Sequence, residues 1–165
     1  MSVTNFTLTQ DYLHQIFEYK DGYLYWKITN RNAIAGNKVG SKCTKGYYKT
    51  SINNKPFLVH RLIFMMFHGY LPTYIDHIDG NQSNNCIENL REATLQQNNY
   101  NAKTRKNSKS GIKNVYWQKS TKKWGVALRT NKIYKYFGCF DDLELATLVA
   151  TEARNKYHGK FAKHN

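Results

Sequence analysis

The spacing of hydrophobic and polar residues changes along the chain, and each change predicts a new element. Apolar residues recur at helical spacing over residues 9–17 and predict a short helix there. The segment 23–28 is aromatic and predicts a strand, whereas the polar, glycine-dotted segment 30–45 predicts a loop. Segments 46–52 and 56–59 flank a polar Asn-Asn-Lys turn, so we expect them to form a hairpin.

The middle of the chain alternates between helical and strand-like patterns. The mostly apolar segment 60–68 predicts a helix that ends at the glycine following it. Residues 74–78 predict a strand, the Asp-Gly-Asn sequence at 79–81 predicts a turn, and residues 87–90 predict the returning strand of a hairpin. We expect a helix from about residue 91 to residue 101 to follow this hairpin.

The last third of the chain shows a pattern of its own. Residues 103–109 are polar and basic without an apolar member, which is typical of a linker. A final helix is expected over about 142–157, with Asp141 as its N-cap and Glu144 three residues later. Its apolar stripe would cover one face of a sheet and leave the other for a partner. Three aromatic-rich segments separated by short polar turns predict that sheet as an antiparallel meander: 112–118, 123–129 and 133–140.

The charge of the chain narrows the class of its partners. Its formal net charge is +14, and residues 100–165 carry 15 basic and 4 acidic side chains. No acidic residue occurs over 93–140. Basic surfaces gain affinity for nucleic acids by displacing condensed counterions, so a phosphate backbone is the expected partner. A membrane surface is the alternative, but the sequence contains no amphipathic basic helix and no long apolar run that would favour it.

The three cysteines, Cys43, Cys86 and Cys139, stand alone in the sequence. Without a Cys-x-x-Cys pair, the sequence argues against a structural zinc site and against a disulfide framework. We therefore expect reduced cysteines in an intracellular protein. The first residues lack the basic and apolar regions of an export signal, so a cytoplasmic location is expected, in the host cell if the protein is phage-encoded.

One set of polar residues has the composition of a hydrolytic metal site. Asp76 and His77 place a carboxylate beside an imidazole, and Asn89 and Asn98 follow with amide oxygens. Mg²⁺ prefers oxygen ligands and keeps several waters, so Asp76 and Asn98 suffice as protein ligands. Free imidazole has a pKa of about 6.5, which suits His77 as the base that deprotonates water. In a strongly basic chain, these residues predict a metal-dependent nuclease that uses Mg²⁺, for which Mn²⁺ can substitute.

The position of this set on a strand imposes a geometric condition. Adjacent residues of a regular strand point to opposite faces of the sheet. Asp76 and His77 can therefore share a site only if the strand is irregular there, or if the metal lies at its edge.

Other polar residues near this set have simpler interpretations. His60 lies on an apolar helix and is expected to pack there with a hydrogen bond. Arg61 is expected to contact phosphate or to pair with an acidic side chain. Asp79, Asn84 and Asn85 are expected to form turns, because short polar side chains bond to the backbone in such sequences.

Several short motifs are spread over residues 59–98: Val59-His60-Arg61-Leu62, Asp76-His77-Ile78-Asp79-Gly80-Asn81, Asn84-Asn85, Glu88-Asn89-Leu90 and Asn98. Together they resemble an HNH endonuclease of the type found in phages and among homing endonucleases. The resemblance implies a ββα-metal fold in which His77 is the general base and Asn89 fixes the hairpin. It also implies that Asp76 and Asn98 bind the metal. This chain has asparagine at the last position, where many members have histidine, and Asn99 is a neighbouring candidate.

A second set of motifs occupies residues 110–164: Ser110-Gly111-Ile112-Lys113-Asn114-Val115-Tyr116-Trp117, Lys123-Trp124-Gly125-Val126-Ala127-Leu128-Arg129, Phe137-Gly138-Cys139-Phe140-Asp141, Glu144-Leu145-Ala146-Thr147 and Tyr157-His158-Gly159-Lys160-Phe161. These motifs resemble an AP2 DNA-binding domain, which lays a three-stranded sheet in the major groove of double-stranded DNA. The resemblance implies DNA contacts from the sheet: Lys113, Tyr116, Gln118, Lys122, Lys123, Trp124, Arg129 and Tyr134. Further candidates for phosphate contacts are Arg61, Lys103, Arg105, Lys106 and Lys109. Alternatively, Trp117 and Trp124 form core beneath the helix.

The sequence thus predicts an α+β protein with two domains. A ββα-metal (HNH) nuclease domain over 1–102, with its core at about 57–101, precedes the linker 103–109. An AP2-like three-stranded antiparallel sheet packed on one helix follows over 110–165. We expect a phage homing-type endonuclease acting on double-stranded DNA as a monomer or a homodimer, with nicking and double-strand cutting both open. The alternatives are a non-catalytic DNA-binding regulator and an RNA-binding protein whose aromatic residues stack on bases.

Overall fold

The computed structural model describes residues 7–164 of the protein. The chain forms two compact units, Met1–Glu92 and Ala93–Asn165. Within the described residues there are four α-helices and ten β-strands, and this composition confirms the mixed α+β character expected from the sequence. None of these helices combines the length and the apolar character that crossing a membrane requires. The predicted domain boundaries and the predicted linker stay predictions.

The first unit contains small sheets arranged around two helices. In chain order its elements are α1 Gln10–Ile16, β1 Phe17–Lys20, β2 Tyr23–Trp26, β3 Ser41–Lys42, β4 Tyr48–Ile52, β5 Lys55–Leu58, α2 Val59–His68, β6 Tyr74–His77, a 3₁₀ helix Ile87–Asn89 and β7 Leu90–Ala93. Strands β1 and β2 pair antiparallel, β3, β4 and β5 form a three-stranded sheet, and β6 pairs with β7.

Helix α2 lies at the centre of the hydrophobic core of this unit. Leu62 and Ile63 have no exposed surface, and Leu13 and Leu24 from neighbouring elements belong to the same core. A helix that is hydrophobic on nearly all sides has to be buried, as α2 is. The helix is capped at its C-terminus by Gly69, which has a φ of 76°. Glycine adopts this left-handed conformation without strain because it has no Cβ atom.

Two expectations for the first part of the chain need correction. Residues Phe17–Lys20 form strand β1, which the sequence pattern did not predict, because they pair with β2 across the Asp21–Gly22 turn. The loop expected over 30–45 is interrupted by β3 and by a bridge between Tyr25 and Lys38. Both elements depend on a pairing partner, which the local pattern of apolar residues does not report.

The helix expected from about residue 91 begins four residues later. Leu90–Ala93 forms strand β7 instead, because these residues pair with β6. The N-cap of the helix is Thr94, whose hydroxyl accepts the backbone N–H of Gln97, and the Gln97 side chain accepts the Thr94 N–H in return. This capping box satisfies two N–H groups that the first turn leaves without partners.

The second unit packs one long helix on a three-stranded sheet. In chain order its elements are α3 Leu95–Asn101, β8 Val115–Gln118, β9 Lys123–Thr130, β10 Ile133–Phe140, α4 Leu143–His158 and a 3₁₀ helix Gly159–Phe161. Strand β9 lies between β8 and β10, and all three are antiparallel, as the meander predicted. Ala146 and Ala150 of α4 are fully buried against Val115 and Val126 of the sheet. These small side chains let the helix approach the sheet closely.

The N-cap of α4 differs by one residue from the prediction. Asp142 takes this position instead of Asp141, and its carboxylate accepts the backbone N–H groups of Glu144 and Leu145. Asp141 pairs with Lys123 of β9 instead, at 2.9 Å. Asp141 and Asp142 carry the same capping group, and the residue at which β10 ends determines which of them caps the helix.

The sheet face opposite α4 carries polar and aromatic side chains. Tyr116, Gly125 and Cys139 are cross-strand neighbours on β8, β9 and β10. The ring of Tyr116 lies directly over Gly125, where an added Cβ would come within 2.6 Å of the ring. The ring of Trp124, in contrast, packs with the core beneath α4 and lies 4.8 Å from that of Trp117. Trp124 therefore makes the core contact that was one of its two expected roles, and a DNA contact from it stays a prediction.

Acid is expected to weaken the second unit through His158. This residue ends α4, is buried, and stacks its ring on Tyr100 with the ring centroids 3.6 Å apart. Burial, followed by the positive charges of Lys113 and Arg154, lowers the pKa of His158 to about 4. Between about pH 6.5 and this value the unfolded chain binds a proton that the folded protein does not. Its contribution to stability is therefore complete above about pH 6.5 and falls as the pH drops.

Urea unfolding at about pH 7 and about pH 4.5 measures this effect, which we expect to be on the order of 1–2 kcal/mol for His158. The control is His158→Phe, which keeps a flat ring against Tyr100 and removes the titrating group. The variant should lose less stability than the wild type between the two pH values. Equal losses would contradict the assignment to His158.

Candidate catalytic site

The hairpin of β6 and β7 brings two predicted catalytic residues to one end of a strand. Asp76 and His77 end β6 and are buried, with 3% and 5% of their surfaces exposed. The backbone turns directly after His77, whose carbonyl accepts the N–H of Gly80 at 2.8 Å. The N–H of Ile78 donates to the carbonyl of Asn89 at 2.9 Å and closes the hairpin. His77 thus lies at the end of the strand, where the backbone leaves regular β geometry.

Asn89 fixes the loop of this hairpin with one side chain. Its Oδ1 accepts the backbone N–H of Asp79 at 3.0 Å. Its Nδ2 donates to Asp79 Oδ1 at 3.0 Å and to the carbonyl of Asn84 at 2.8 Å. The structure therefore places Asn89 where the resemblance expects the asparagine of the hairpin, and its contribution to catalysis stays a prediction.

The carboxylate of Asp79 organises the same loop from its centre. Its Oδ1 also accepts the N–H of Asn81 at 2.7 Å, and its Oδ2 accepts Nδ2 of Asn84 at 2.8 Å. Burial alone would raise the pKa of Asp79. Hydrogen bonds from three asparagines outweigh burial and lower the pKa below its ordinary value: Asn81, Asn84 and Asn89. Asp79 is therefore an ionised carboxylate that holds the turn, as expected from its Asp-Gly-Asn sequence.

The imidazole of His77 is held by a buried amide. His77 Nε2 lies 3.1 Å from Oδ1 of Asn85, and only 2% of Asn85 is exposed. With an amide oxygen as acceptor, Nε2 carries the proton and Nδ1 is the basic nitrogen of the ring. Asn85 was expected to be a turn residue. No local signal separates it from Asn84, since the two have the same chemistry and only burial distinguishes them.

A second histidine lies beside His77 without adding charge. The ring of His60 is 5.0 Å from that of His77, and the ring of Tyr47 is 5.9 Å from it. Burial, and then the nearby His77 and Arg61, lower the pKa of His60 to about 3. His60 is therefore neutral at pH 7 and forms part of the packed wall behind His77. Its Nδ1 has no hydrogen-bond partner among residues 7–164, in contrast to the bonded residue expected from the sequence.

Asp76 forms an ion pair across the hairpin. Both Nε and Nη2 of Arg91 contact Asp76 Oδ2, at 2.8 and 2.7 Å. The pair fixes the orientation of the carboxylate. Among residues 7–164, no group of three or more His, Cys, Asp or Glu side chains is arranged to hold a metal ion. A single oriented carboxylate fits a hard cation such as Mg²⁺, which needs few protein ligands, and does not fit a zinc site built of histidines and cysteines.

The second predicted ligand lies on α3, in the second unit. Asn98 is half-buried, and its backbone N–H donates to the carbonyl of Thr94 at 3.0 Å. Asn99 is exposed. The assignment of Asp76 and Asn98 as metal ligands stays a prediction, as does the choice between Asn98 and Asn99.

Two cations predicted to contact DNA are engaged with protein atoms. Arg61 donates from Nη2 to the carbonyl of Pro72 at 2.9 Å and from Nη1 to that of Thr73 at 3.4 Å, and so holds the loop that leads into β6. Lys123 forms its ion pair with Asp141 on the surface. An exposed pair of this kind is worth little and can exchange for a phosphate.

Lys113 is also engaged, with the end of a helix. Its Nζ donates to the carbonyls of Asn99 at 3.2 Å, of Tyr100 at 2.6 Å and of Ala102. Burial, followed by the charge of Arg154, lowers the pKa of Lys113 to about 8. The structure therefore corrects the expected role of Lys113, because its ammonium group faces backbone carbonyls.

The remaining predicted DNA contacts lie at the surface of the second unit. Lys103, Arg105, Lys106 and Lys109 are exposed on the segment that follows α3. On the open face of the sheet, Tyr116 and Tyr134 are 41% and 61% exposed, and a hydrogen bond between them, with burial, raises the pKa of Tyr116 to about 12. The other predicted members lie on the strands or their turns. Gln118 accepts a hydrogen bond from Cys139, and Arg129 donates to the carbonyl of Lys132. Lys122 lies in a turn with φ 54°.

A groove of about 700 Å³ lies between the segment after α3 and the start of the sheet. Its walls include Asn99, Thr104, Asn107, Asn114 and Tyr116. The groove has both polar and apolar walls and belongs entirely to the second unit. The sequence pattern did not indicate it, because it arises where a segment expected to be a linker folds beside β8.

Comparison with known proteins agrees with the chemistry of this hairpin. The family model of the HNH endonucleases matches residues 57–100. Protein 3.8 of Escherichia phage T7 is 37% identical over 90 residues, which are 54% of this chain and 74% of that protein. A protein of Acanthamoeba polyphaga mimivirus named as an uncharacterised HNH endonuclease is 39% identical over 74 residues, and this chain spans 39% of its length. No solved structure matches. The chain belongs to the HNH endonuclease family.

Proposed function

We propose that this protein is a DNA endonuclease that hydrolyses phosphodiester bonds with Mg²⁺ as its cofactor and with Mn²⁺ as a substitute. The observation that supports it most directly is the pairing of two oriented groups at the end of β6. His77 is held by Asn85, and Asp76 is held by Arg91. Both pairs lie within the segment that matches the HNH model. Orientation by a fixed partner is what a base and a metal ligand both require.

In this proposal His77 takes the proton of the attacking water at Nδ1, while Asn85 keeps Nε2 protonated. Asp76 and Asn98 hold the divalent ion, and Arg91 keeps the Asp76 carboxylate in place. When bound, the ion supplies positive charge to the phosphate and its leaving oxygen. Asn89 and Asp79 keep the loop closed around His77. The resemblance to the family implies products with 5′-phosphate and 3′-hydroxyl ends.

The second unit is proposed to bind the DNA that the hairpin cuts, as an AP2-like module of a homing-type enzyme. The absence of acidic residues over 93–140 supports this role, since solvated surfaces usually mix both signs of charge. Exposed tyrosines on the sheet face opposite α4 support it further, because this face is not covered by the helix. A protein with DNA binding and no cutting is the competing function.

Incubation of supercoiled plasmid with the protein and Mg²⁺ tests the proposed function. We expect nicked or linear DNA, no cleavage in EDTA, and recovery of cleavage when Mg²⁺ or Mn²⁺ is added back. Gel-shift measurements in EDTA report binding alone. Binding without cleavage in either metal would show a DNA-binding regulator, and preference for single-stranded RNA in competition would show an RNA-binding protein.

The basic segment after α3 is expected to set the salt dependence of DNA binding. Replacing Lys103, Arg105 and Lys106 with glutamine should reduce the slope of log affinity against log salt by about 3, since each phosphate contact contributes about 0.9. The affinity loss should be similar on all DNA sequences. Binding titrations at several salt concentrations measure the slope.

The matched control removes the same charge from exposed lysines of the first unit: Lys20, Lys42 and Lys55. These lysines are not among the predicted DNA contacts, so this triple variant should change the slope by less than about 1. A wild-type slope in the variant of Lys103, Arg105 and Lys106 would rule out phosphate contacts from the segment 103–106.

A further inference from the structure

The helix that carries Asn98 is too short to hold its own position. Helix α3 has seven residues, and isolated helices shorter than about 12 residues are marginal in water. Its N-terminus is closed by the capping box of Thr94 and Gln97. Its side and its C-terminus must therefore be fixed by packing and hydrogen bonds from elsewhere.

The C-terminus of α3 is capped by a lysine of the second unit. The ammonium group of Lys113 donates to the carbonyls of Asn99, Tyr100 and Ala102, at the end of the helix where backbone carbonyls lack intrahelical partners of their usual kind. A cation at this end also complements the helix dipole. Lys113 is itself fixed, because its own carbonyl accepts Nη1 of Arg154.

That arginine ties the cap to the long helix of the unit. Arg154 lies on α4, is 2% exposed, and donates from Nη2 to Thr151 Oγ1 at 3.0 Å. A continuous set of contacts therefore runs from α4 through Arg154 and Lys113 to the last turn of α3. Lys113 therefore acts as a C-terminal cap of α3, and its ammonium group does not bind a phosphate while it makes these hydrogen bonds.

The side of α3 is held by one aromatic residue. The ring of Tyr100 stacks on His158, with an interplanar angle of 10°, and its hydroxyl donates to Thr130 Oγ1 at 2.9 Å. Gln96 Nε2 donates to Asn131 Oδ1 at 3.3 Å and to the hydroxyl of Tyr100. These contacts reach β9, the turn after it and the end of α4, and together they set the rotation of α3 about its axis.

We propose that Lys113, Tyr100 and His158 position α3, the helix that carries the predicted metal ligand Asn98. The proposal rests on the nuclease function and on Asn98 as a metal ligand. A ligand must be held to within about 0.5 Å, and groups that orient ligands typically change metal affinity about 10–100-fold when they are removed. Lys113, Tyr100 and His158 are positioning residues in this sense.

The test compares Lys113→Met with Lys119→Met in the full chain. Both variants lose one positive charge, but Lys119 is exposed and is not among the predicted DNA contacts. Single-turnover cleavage with saturating protein is measured as a function of Mg²⁺ concentration, and DNA affinity is measured separately in EDTA. We expect Lys113→Met to raise the half-saturating Mg²⁺ concentration about 10-fold and Lys119→Met to leave it unchanged. Both variants should bind DNA with similar affinity.

Two further variants keep the test decisive if Lys113→Met does not fold. Lys113→Arg keeps donors for the carbonyls and should restore most of the affinity for Mg²⁺. Tyr100→Phe keeps the ring on His158, loses the bond to Thr130, and should raise the half-saturating Mg²⁺ concentration about threefold, the equivalent of one modest hydrogen bond. Unchanged Mg²⁺ dependence in a folded Lys113→Met or in Tyr100→Phe overturns the proposal.

A measurement without cleavage separates this proposal from the proposed function. Amide hydrogen exchange of α3 in the metal-free protein should be at least about 10-fold faster in Lys113→Met than in Lys119→Met. If the wild type cuts no DNA in any divalent metal, the nuclease function fails even where the exchange result holds. If the wild type cuts and α3 exchanges at the same rate in both variants, the nuclease function stands and the positioning role is wrong.

Discussion

His77→Ala should cut DNA roughly 10²–10⁴-fold more slowly than the wild type, the range that a general base contributes. DNA affinity in EDTA should change little, because His77 is buried and contributes no surface charge. Single-turnover cleavage of plasmid at saturating protein measures the chemical step. The loss should remain at saturating Mg²⁺, since the missing group is the base and not a metal ligand.

Two other variants show whether the orientation of His77 matters. Asn85→Leu removes the partner of Nε2 at similar volume and should slow cleavage about 10–100-fold with an unchanged half-saturating Mg²⁺ concentration. His68→Ala, which removes an exposed histidine at the end of α2, serves as the control and should cut within about twofold of the wild type. Wild-type cleavage by His77→Ala would sink the assignment of the base.

Asp76→Leu should both unfold more easily and lose cleavage. Removing one member of a buried ion pair leaves the other charge without its partner, and the expected cost is about 3 kcal/mol. Cleavage should fall by at least about 100-fold, because the variant also loses the predicted metal ligand. Urea unfolding and cleavage at raised Mg²⁺ concentration measure the two effects separately.

The double variant Asp76→Leu with Arg91→Met separates structure from chemistry. Replacing both members of a buried pair with apolar residues is often neutral or stabilising, so most of the stability should return. Cleavage should not return. A double variant that is stable and cuts at the wild-type rate would show that Asp76 serves only as the partner of Arg91.

The elements that the sequence predicted best are those whose local pattern reports burial. The apolar segment 60–68 became α2 almost without change, and the three aromatic segments became β8, β9 and β10. In each case the residues that face the core recur with the period of the element itself. The elements that needed correction, β1 and β7, depend on a strand elsewhere in the chain.

The start of α3 shows that a readable signal can be outweighed by a stronger expectation. Thr94 and Gln97 have the spacing of a capping box, and they mark the first turn of the helix. The sequence pattern nevertheless predicts that the hairpin ends at residue 90, which places residues 91–93 in the helix. Strand pairing with β6 assigns them to β7 instead.

The partners within the site could not be predicted, because they depend on distance in space and not in sequence. Arg91 reaches Asp76 from the neighbouring strand, fifteen residues later. Asn85 and Asn84 are adjacent and chemically identical, yet only Asn85 is buried against His77. In the sequence, nothing distinguishes Lys113 from the other lysines of a basic segment. In the fold, its ammonium group contacts the end of α3.

Because the ring of Tyr116 lies over Gly125, the residues at these two positions on neighbouring strands cannot vary independently. Any larger side chain at position 125 would displace the ring, so an inherited change at one position selects for a change at the other. Laboratory evolution that randomises single codons on this surface would therefore discard most of the workable combinations. Libraries that vary positions 116 and 125 together are the better way to vary this surface.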